Sequence, residues 1–304
     1  MKGATMRKLL ITGGTVFVSK YAAGYFRDRG YDVSVLNRNS RPQVEGVKLI
    51  EADRHNIGDQ LAGLSFDAVL DITAYDGQDI SDLVSALDEF GTYIMVSSSA
   101  VYPETEKQPF REQTRLGQNR LWGKYGTDKI EAEERLLKMV PDAYLLRPPY
   151  LYGPMNNVYR EAFVFDCAMQ DRPFYLPGEG HLPLQFFHVE DLCRLMETIL
   201  EKRPDDHIIN VGNEENVTVR DWVEFCYECA GKVPTFLSVD PQIDQRNYFC
   251  FYNYAYQLDV TIQSGLLENT KDLKEGLTEC YEWYKDHSEE VNRKPFLDYI
   301  DKNF

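Results

Sequence analysis

The chain lacks any run of about twenty consecutive apolar residues, so no segment has the length and apolarity of a membrane-spanning helix. Its first six residues lack the apolar centre of a signal peptide; a cytoplasmic protein is expected, with Met6 an alternative start. Cysteine is sparse. The six thiols, at 167, 193, 226, 229, 250 and 280, lack the density of a secreted disulfide scaffold and read as reduced. Cys226 and Cys229 form a C-x-x-C pair, but within an amphipathic helical pattern from Asp221 to Cys229, and no second pair has zinc-ligand spacing. Buried core thiols are expected there, and no metal. Basic charge is also short: 33 Lys and Arg against 49 Asp and Glu leave a net −16. That balance disfavours nucleic acid and anionic membranes as partners.

What remains is a globular chain, 43% hydrophobic and 27% charged, long enough to enclose a site. Short apolar runs at Lys8 to Thr12, Asp32 to Leu36, Val47 to Glu51, Phe66 to Asp71, Tyr93 to Ser97 and Tyr144 to Arg147 alternate with helical patterns. One helix sets Val18, Ala22 and Phe26 on a stripe and stops at Gly30; another groups Ile80, Leu83, Val84 and Leu87. This is the pattern of βαβ units around a parallel sheet. The expected fold is α/β: a Rossmann-type doubly wound parallel sheet over residues 1–150, and a smaller, partly interleaved substrate lobe over 151–304, where Pro- and Gly-rich turns break up the pattern.

The first strand runs into Thr12-Gly13-Gly14-Thr15-Val16-Phe17-Val18-Ser19 and then a helix. Glycines there allow a tight turn, and the helix N-terminus attracts a pyrophosphate. The spacing G-x-x-G-x-x-G is imperfect, with Val16 and Ser19 in the glycine places. An ordinary Gly-rich turn is the competing explanation. At the end of strand two, Asn37 and Arg38 stand where a ribose-reading residue is expected. Asn37 is neutral and Arg38 is able to pair with a 2′-phosphate, which leans towards NADP over NAD unless Arg38 is simply solvated.

Tyr125 and Lys129 lie four residues apart, one helical turn on the same side, where the ammonium is expected to lower the pKa of the phenol. Upstream, Ser97-Ser98-Ser99 puts hydroxyls at the carboxyl edge of the sheet. A phenol beside a hydroxyl suits proton exchange with a substrate oxygen during hydride transfer.

These residues together resemble the extended short-chain dehydrogenase/reductase family, the NAD-dependent epimerase/dehydratase group, with an atypical glycine motif. The resemblance runs in order through Thr12–Thr15, Ala52-Asp53-Arg54, Ser98, Tyr125/Lys129, Leu146-Arg147-Pro148, Tyr152-Gly153-Pro154, Phe187–Leu192, Asn210-Val211-Gly212 and Leu258–Thr261. It implies Ser98, Tyr125 and Lys129 as the catalytic set, with Ser99 an alternate hydroxyl. It implies a cofactor site of Gly13, Thr15, Phe17, Val18, Asn37, Arg38, Asp53, Arg54, Thr73, Ala74, Tyr75, Ser97 and Pro148 with the catalytic pair. Ser99, Tyr152, Arg160, Gln185 and Arg246 are implied for substrate, and His188 for positioning the second lobe. Family members also dimerise through helices flanking the active site, and a homodimer through Ile130 to Met139 is a partner expectation.

Departures narrow the reaction. Dehydratases of the family carry acids where this chain has Ser99 and Ala100. Its GDP-fucose-forming members use Cys and His where Ala100 and Met155 stand. What survives is 4-epimerisation of a sugar or nucleotide sugar through a keto intermediate, or NADPH-dependent carbonyl reduction. The usual diphosphate Arg is missing, with Leu184 and Gln185 in that region, and Arg160 or Arg246 would have to compensate. The glycine turn also resembles an atypical branch that includes RNA-binding proteins, a non-catalytic alternative that the acidic charge disfavours.

Overall fold

The computed structural model describes residues 7–304, so Met6 lies outside the described residues. Two compact units divide the chain. One comprises the described residues up to Pro149 with Val189–Gly212 and Leu258–Asn269; the other comprises Tyr150–His188, Asn213–Gln257 and Thr270–Phe304.

The first unit is built on strands β1 (Lys8–Thr12), β2 (Asp32–Asn37), β3 (Lys48–Glu51), β4 (Ser65–Asp71), β5 (Glu89–Val96) and β6 (Tyr144–Arg147). With a seventh strand, Ile208–Asn210, beside β6, they form one parallel sheet in the order 3-2-1-4-5-6-seventh. Between β1 and β4 the strand order reverses direction, the place where doubly wound sheets bind ligands at their carboxyl edge. Burial explains the composition: Leu9, Leu10, Ile11, Val35, Val69, Leu70, Ile94, Met95 and Leu145 are all inaccessible, as strands covered on both faces require.

Helix α1 (Phe17–Asp28) buries Ala22, Ala23 and Phe26, with Val18 half-buried at the edge of that stripe. Helix α2 (Gly77–Ala86) is started by a capping box in which Asp76 accepts from Gln78 and Asp79 N–H groups. It packs with α3 (Lys124–Met139) on a core of Ile80, Leu83, Ala132, Leu136 and Val69. β5 starts four residues before the expected Tyr93 because Glu89 and Phe90 pair with Ser65 and Phe66 of β4.

The second unit joins four helices, Glu161–Met169, Val219–Cys229, Leu273–His287 and Phe296–Asn303, to two-stranded pieces such as Tyr150–Tyr152 beside Phe186–His188. Its interior is aromatic: Trp222 stacks on Phe186 at 5.9 Å and meets Phe251 at 5.1 Å. All six cysteines are free thiols; Cys229 and Cys250 are half-buried and the others buried. Among the described residues no helix is long and apolar enough to cross a membrane.

Candidate active site

The turn after β1 has φ of +88° at Gly13 and +93° at Gly14, a conformation L side chains avoid. A Cβ at Gly13 would stand 2.7 Å from Ser19 Oγ and 2.9 Å from Thr73 Cγ2, so the turn also needs glycine for space. Asn37 braces it: the side-chain amide donates to Gly13 O at 2.6 Å and to Gln43 Oε1 at 3.0 Å. Val16 caps α1 with extended backbone and no side-chain bond, and no acid occupies the first turn. The helix start therefore offers main-chain N–H groups and its positive dipole end to an anion. Ser19, in the place of a third glycine, is buried and donates to Val16 O at 2.9 Å, tying the turn together. Thr15 and Val18 are half-buried here and Phe17 is buried. Arg38 is exposed just past β2.

Asp53 is exposed and accepts the His55 N–H, as a loop residue open to a ligand would. Arg54 departs from its expected role. Its guanidinium is turned inward, donating to Asp71 at 2.5 Å, to Thr73 Oγ1 at 3.2 Å and to Asp79 O at 3.0 Å. Asp71 is fully buried, also receives Thr12 and Tyr93 hydroxyls, and has its pKa lowered by Arg54 and these hydrogen bonds against the opposing effect of burial. Arg54 thus braces the Thr73–Tyr75 segment from inside, because a buried carboxylate must be paired.

Ser98, Tyr125 and Lys129, the implied catalytic residues, come together in this first unit. Gly126 lets α3 approach the 3₁₀ turn Ser99–Val101: a Cβ there would lie 2.5 Å from Ala100 O. Ser98 caps that turn through a bond from Ala100 N–H and stands near enough to the Tyr125 hydroxyl to lower its pKa. Lys129 is 3% exposed, and its ammonium donates to Ala74 O at 2.6 Å and Val96 O at 3.0 Å. It stands 5.3 Å from the Tyr75 ring centre and 6.0 Å from that of Tyr125, whose centres are 6.5 Å apart.

This geometry corrects one expectation. The pKa of Tyr125 is raised, by burial first and the neighbouring Tyr75 next, with only the Ser98 hydrogen bond pulling it down. Tyr125 as a whole residue is 41% exposed. The Lys129 ammonium is held by main-chain carbonyls. Lys129 is itself pulled down to about 8, chiefly by burial, with Asp71 and Glu133 opposing.

Ser97 differs too: its hydroxyl is buried against Glu133 Oε1 at 2.5 Å and is turned away from a ligand. Ser99 is buried, its N–H donating to Pro148 O. Tyr75 is 58% exposed and open to a ligand. Glu133 accepts from both Ser97 and Arg147; the sequence signals for this pair are that Glu133 follows Lys129 by one turn and that Arg147 is a lone charge in an apolar strand.

In the second unit, Arg160 donates Nη2 to Leu151 O at 2.5 Å while its Nε is buried with no partner among the described residues. Arg246 donates to Phe249 O at 3.1 Å and to Cys250 O. Arg160 lies 5.6 Å from the Tyr150 ring centre and Arg246 4.6 Å from that of Tyr252. Gln185 is inaccessible and its amide donates to Asn213 O, which makes it a structural residue here. Tyr152 is inaccessible and packs 5.0 Å from His188. His188 is inaccessible, 3.5 Å from Glu279, and pulled down to about 3 by burial and by Lys271.

Residues 9–212 match the NAD dependent epimerase/dehydratase family. The chain belongs to that family. Its parallel sheet is the Rossmann type of the family's solved structures, among them UDP-glucose 4-epimerase from Thermotoga maritima with UDP-glucose (19% identity, TM-score 0.74, covering 92% of this chain and 99% of that one). A dTDP-4-dehydro-6-deoxy-D-allose reductase from Streptomyces is 24% identical over 92% of this chain and 97% of its own length. The chloroplast stem-loop binding protein of 41 kDa b from Arabidopsis thaliana is 25% identical, covering 92% of this chain and 80% of that protein.

Proposed function

We propose that this epimerase/dehydratase-family enzyme epimerises a nucleotide sugar at C4 through a transient keto intermediate. The observation that carries the reading is the Ser98–Tyr125–Lys129 constellation at the carboxyl edge of the parallel sheet. The Gly13–Val18 turn and the open first turn of α1 fit a dinucleotide pyrophosphate, with Asp53 and Tyr75 available to its two ends. When bound, the nicotinamide supplies the hydride acceptor and donor. Ser98 holds the reacting sugar oxygen, and Tyr125 Oη takes the proton from it as the carbonyl forms and returns it afterwards. Lys129 supplies positive charge beside the rings of Tyr75 and Tyr125. In the second unit Arg160 supports a diphosphate-bearing substrate, since its buried Nε has a donor to give, and Arg246 is a second cation of that unit.

A second reading, reduction of a keto sugar by NADPH, is favoured by the similarity to the Streptomyces reductase. RNA binding, raised by the stem-loop binding relative, is opposed by the net charge of −16. Incubation with UDP-glucose, UDP-glucuronic acid and their 4-epimers separates these readings. Interconversion with nicotinamide absorbance unchanged supports epimerisation, whereas stoichiometric loss of NADPH with a keto sugar would replace it with reduction.

A further inference from the structure

Arg147, at the end of β6, donates Nε to Glu133 Oε1 at 3.0 Å and Nη2 to Oε2 at 2.6 Å, and both side chains are 2% exposed. Glu133 Oε1 also takes the Ser97 hydroxyl at 2.5 Å. Arg147 Nη1 donates to Tyr102 Oη at 2.8 Å and Glu112 O at 3.0 Å. Tyr102 in turn donates to Asn210 Oδ1 at 2.8 Å, and the Asn210 N–H to the Glu112 carboxylate at 2.9 Å. The network therefore grips both ends of Ser97–Tyr102, the segment that carries Ser98, and ties it to α3. On α3, Glu133 follows Lys129 by one turn and Tyr125 by two, on one face.

A buried ion pair is a weak source of stability, because removing both charges from water offsets their attraction. Its placement needs another explanation. We propose that Glu133 and Arg147 are positioning residues of the reaction: the pair fixes α3 against the Ser97–Tyr102 segment so that Tyr125 stays beside Ser98, and the Glu133 carboxylate, one turn along α3, helps hold Lys129 as an ammonium.

The charges acting on Lys129 come from every element around it. Asp71 on β4, Glu133 on α3 and Asp79 on α2 favour its charged form, Arg54 after β3 opposes it, and the rings of Tyr75 and Tyr125 lie 5.3 and 6.0 Å away. Burial is the largest influence and disfavours the ammonium, which is why an adjacent carboxylate matters.

The inference rests on the proposed roles of Tyr125 and Lys129, and its test separates the two. In Glu133→Met/Arg147→Met both charges are replaced by apolar groups of similar length, a change that buried pairs tolerate. The variant is expected to melt within a few degrees of wild type and to bind NAD or NADP within about threefold. Its turnover of the nucleotide sugar is expected to fall roughly tenfold to a hundredfold through misplacement of the relay. The alkaline limb of its pH profile is expected to move down by about half a unit or more. The Lys129 ammonium, followed by 15N-lysine NMR without any substrate, is expected to titrate lower by the same amount. Glu133→Gln, which keeps hydrogen-bonding groups but leaves Arg147 without its counter-charge, serves as second variant with the same expectations for turnover and the Lys129 titration and a lower melting temperature, and Glu133→Asp should restore part of the loss. Wild-type turnover together with an unmoved Lys129 titration in a folded variant would overturn the proposal. Full activity in Tyr125→Phe would instead remove the catalytic reading, and the Lys129 titration would still decide the electrostatic half.

Discussion

Tyr125 lies beside Ser98 while Lys129 is held by two carbonyls, so in the proposed reaction the phenol is the group left to move a proton. Tyr125→Phe removes one oxygen and leaves the ring packing; turnover is expected to fall on the order of a hundredfold or more with cofactor affinity nearly unchanged. Steady-state kinetics beside a fluorescence titration of NADH checks this, and near-wild-type turnover would take Tyr125 out of the mechanism. At the other end of the cofactor site the neutral Asn37 is tied to Gly13, which leaves the exposed Arg38 to meet a 2′-phosphate. Arg38→Ala is expected to weaken NADP more than NAD in paired binding titrations, by roughly tenfold for a lost charge-assisted contact. Equal losses would end the argument for NADP. Residue types and spacing singled out Tyr125, Lys129 and Ser98, which the fold brings together beside the sheet. They did not disclose the inward turn of Arg54 or Ser97, because which way a side chain points is set by partners distant in the chain, Asp71 and Glu133.

At the scale of elements, six strands of the large sheet were legible because each is a short apolar run closed by turn residues. Their ends were less so: β5 begins at Glu89 by pairing with β4, a non-local event that periodicity does not record. The seventh strand, Ile208–Asn210, was hidden for the same reason, since three residues carry no period and only pairing with β6 defines them. The approach of α3 to the Ser99–Val101 turn depends on Gly126, where a side chain would meet a main-chain oxygen that has no rotamer to escape into. Gly126→Val should therefore push α3 away, costing about 1–3 kcal/mol of stability and roughly tenfold or more in turnover. Thermal melts and kcat measured on one preparation test this; an unchanged kcat would mean that the close approach does not set the Ser98–Tyr125 contact.

For the whole molecule, the chain returns twice to its first unit, through Val189–Gly212 and Leu258–Asn269, and His188 is the last residue of the second unit before the first return. An inaccessible imidazole there makes folding sensitive to acid. His188 is pulled down from 6.5 to about 3 in the folded chain, so between those values the unfolded chain binds a proton that the folded chain does not. Stability then rises with pH across that window and is lost as pH falls from about 6.5 towards 3. The full effect is up to roughly 5 kcal/mol on the ordinary conversion of about 1.4 kcal/mol per pH unit. Replacing His188 by Met removes the titration, so the melting temperature of that variant is expected to fall less steeply between pH 6.5 and 4.5 than that of wild type. Scans across that range decide the point: parallel curves would show that groups other than His188, the salt-bridged carboxylates among them, carry the acid sensitivity.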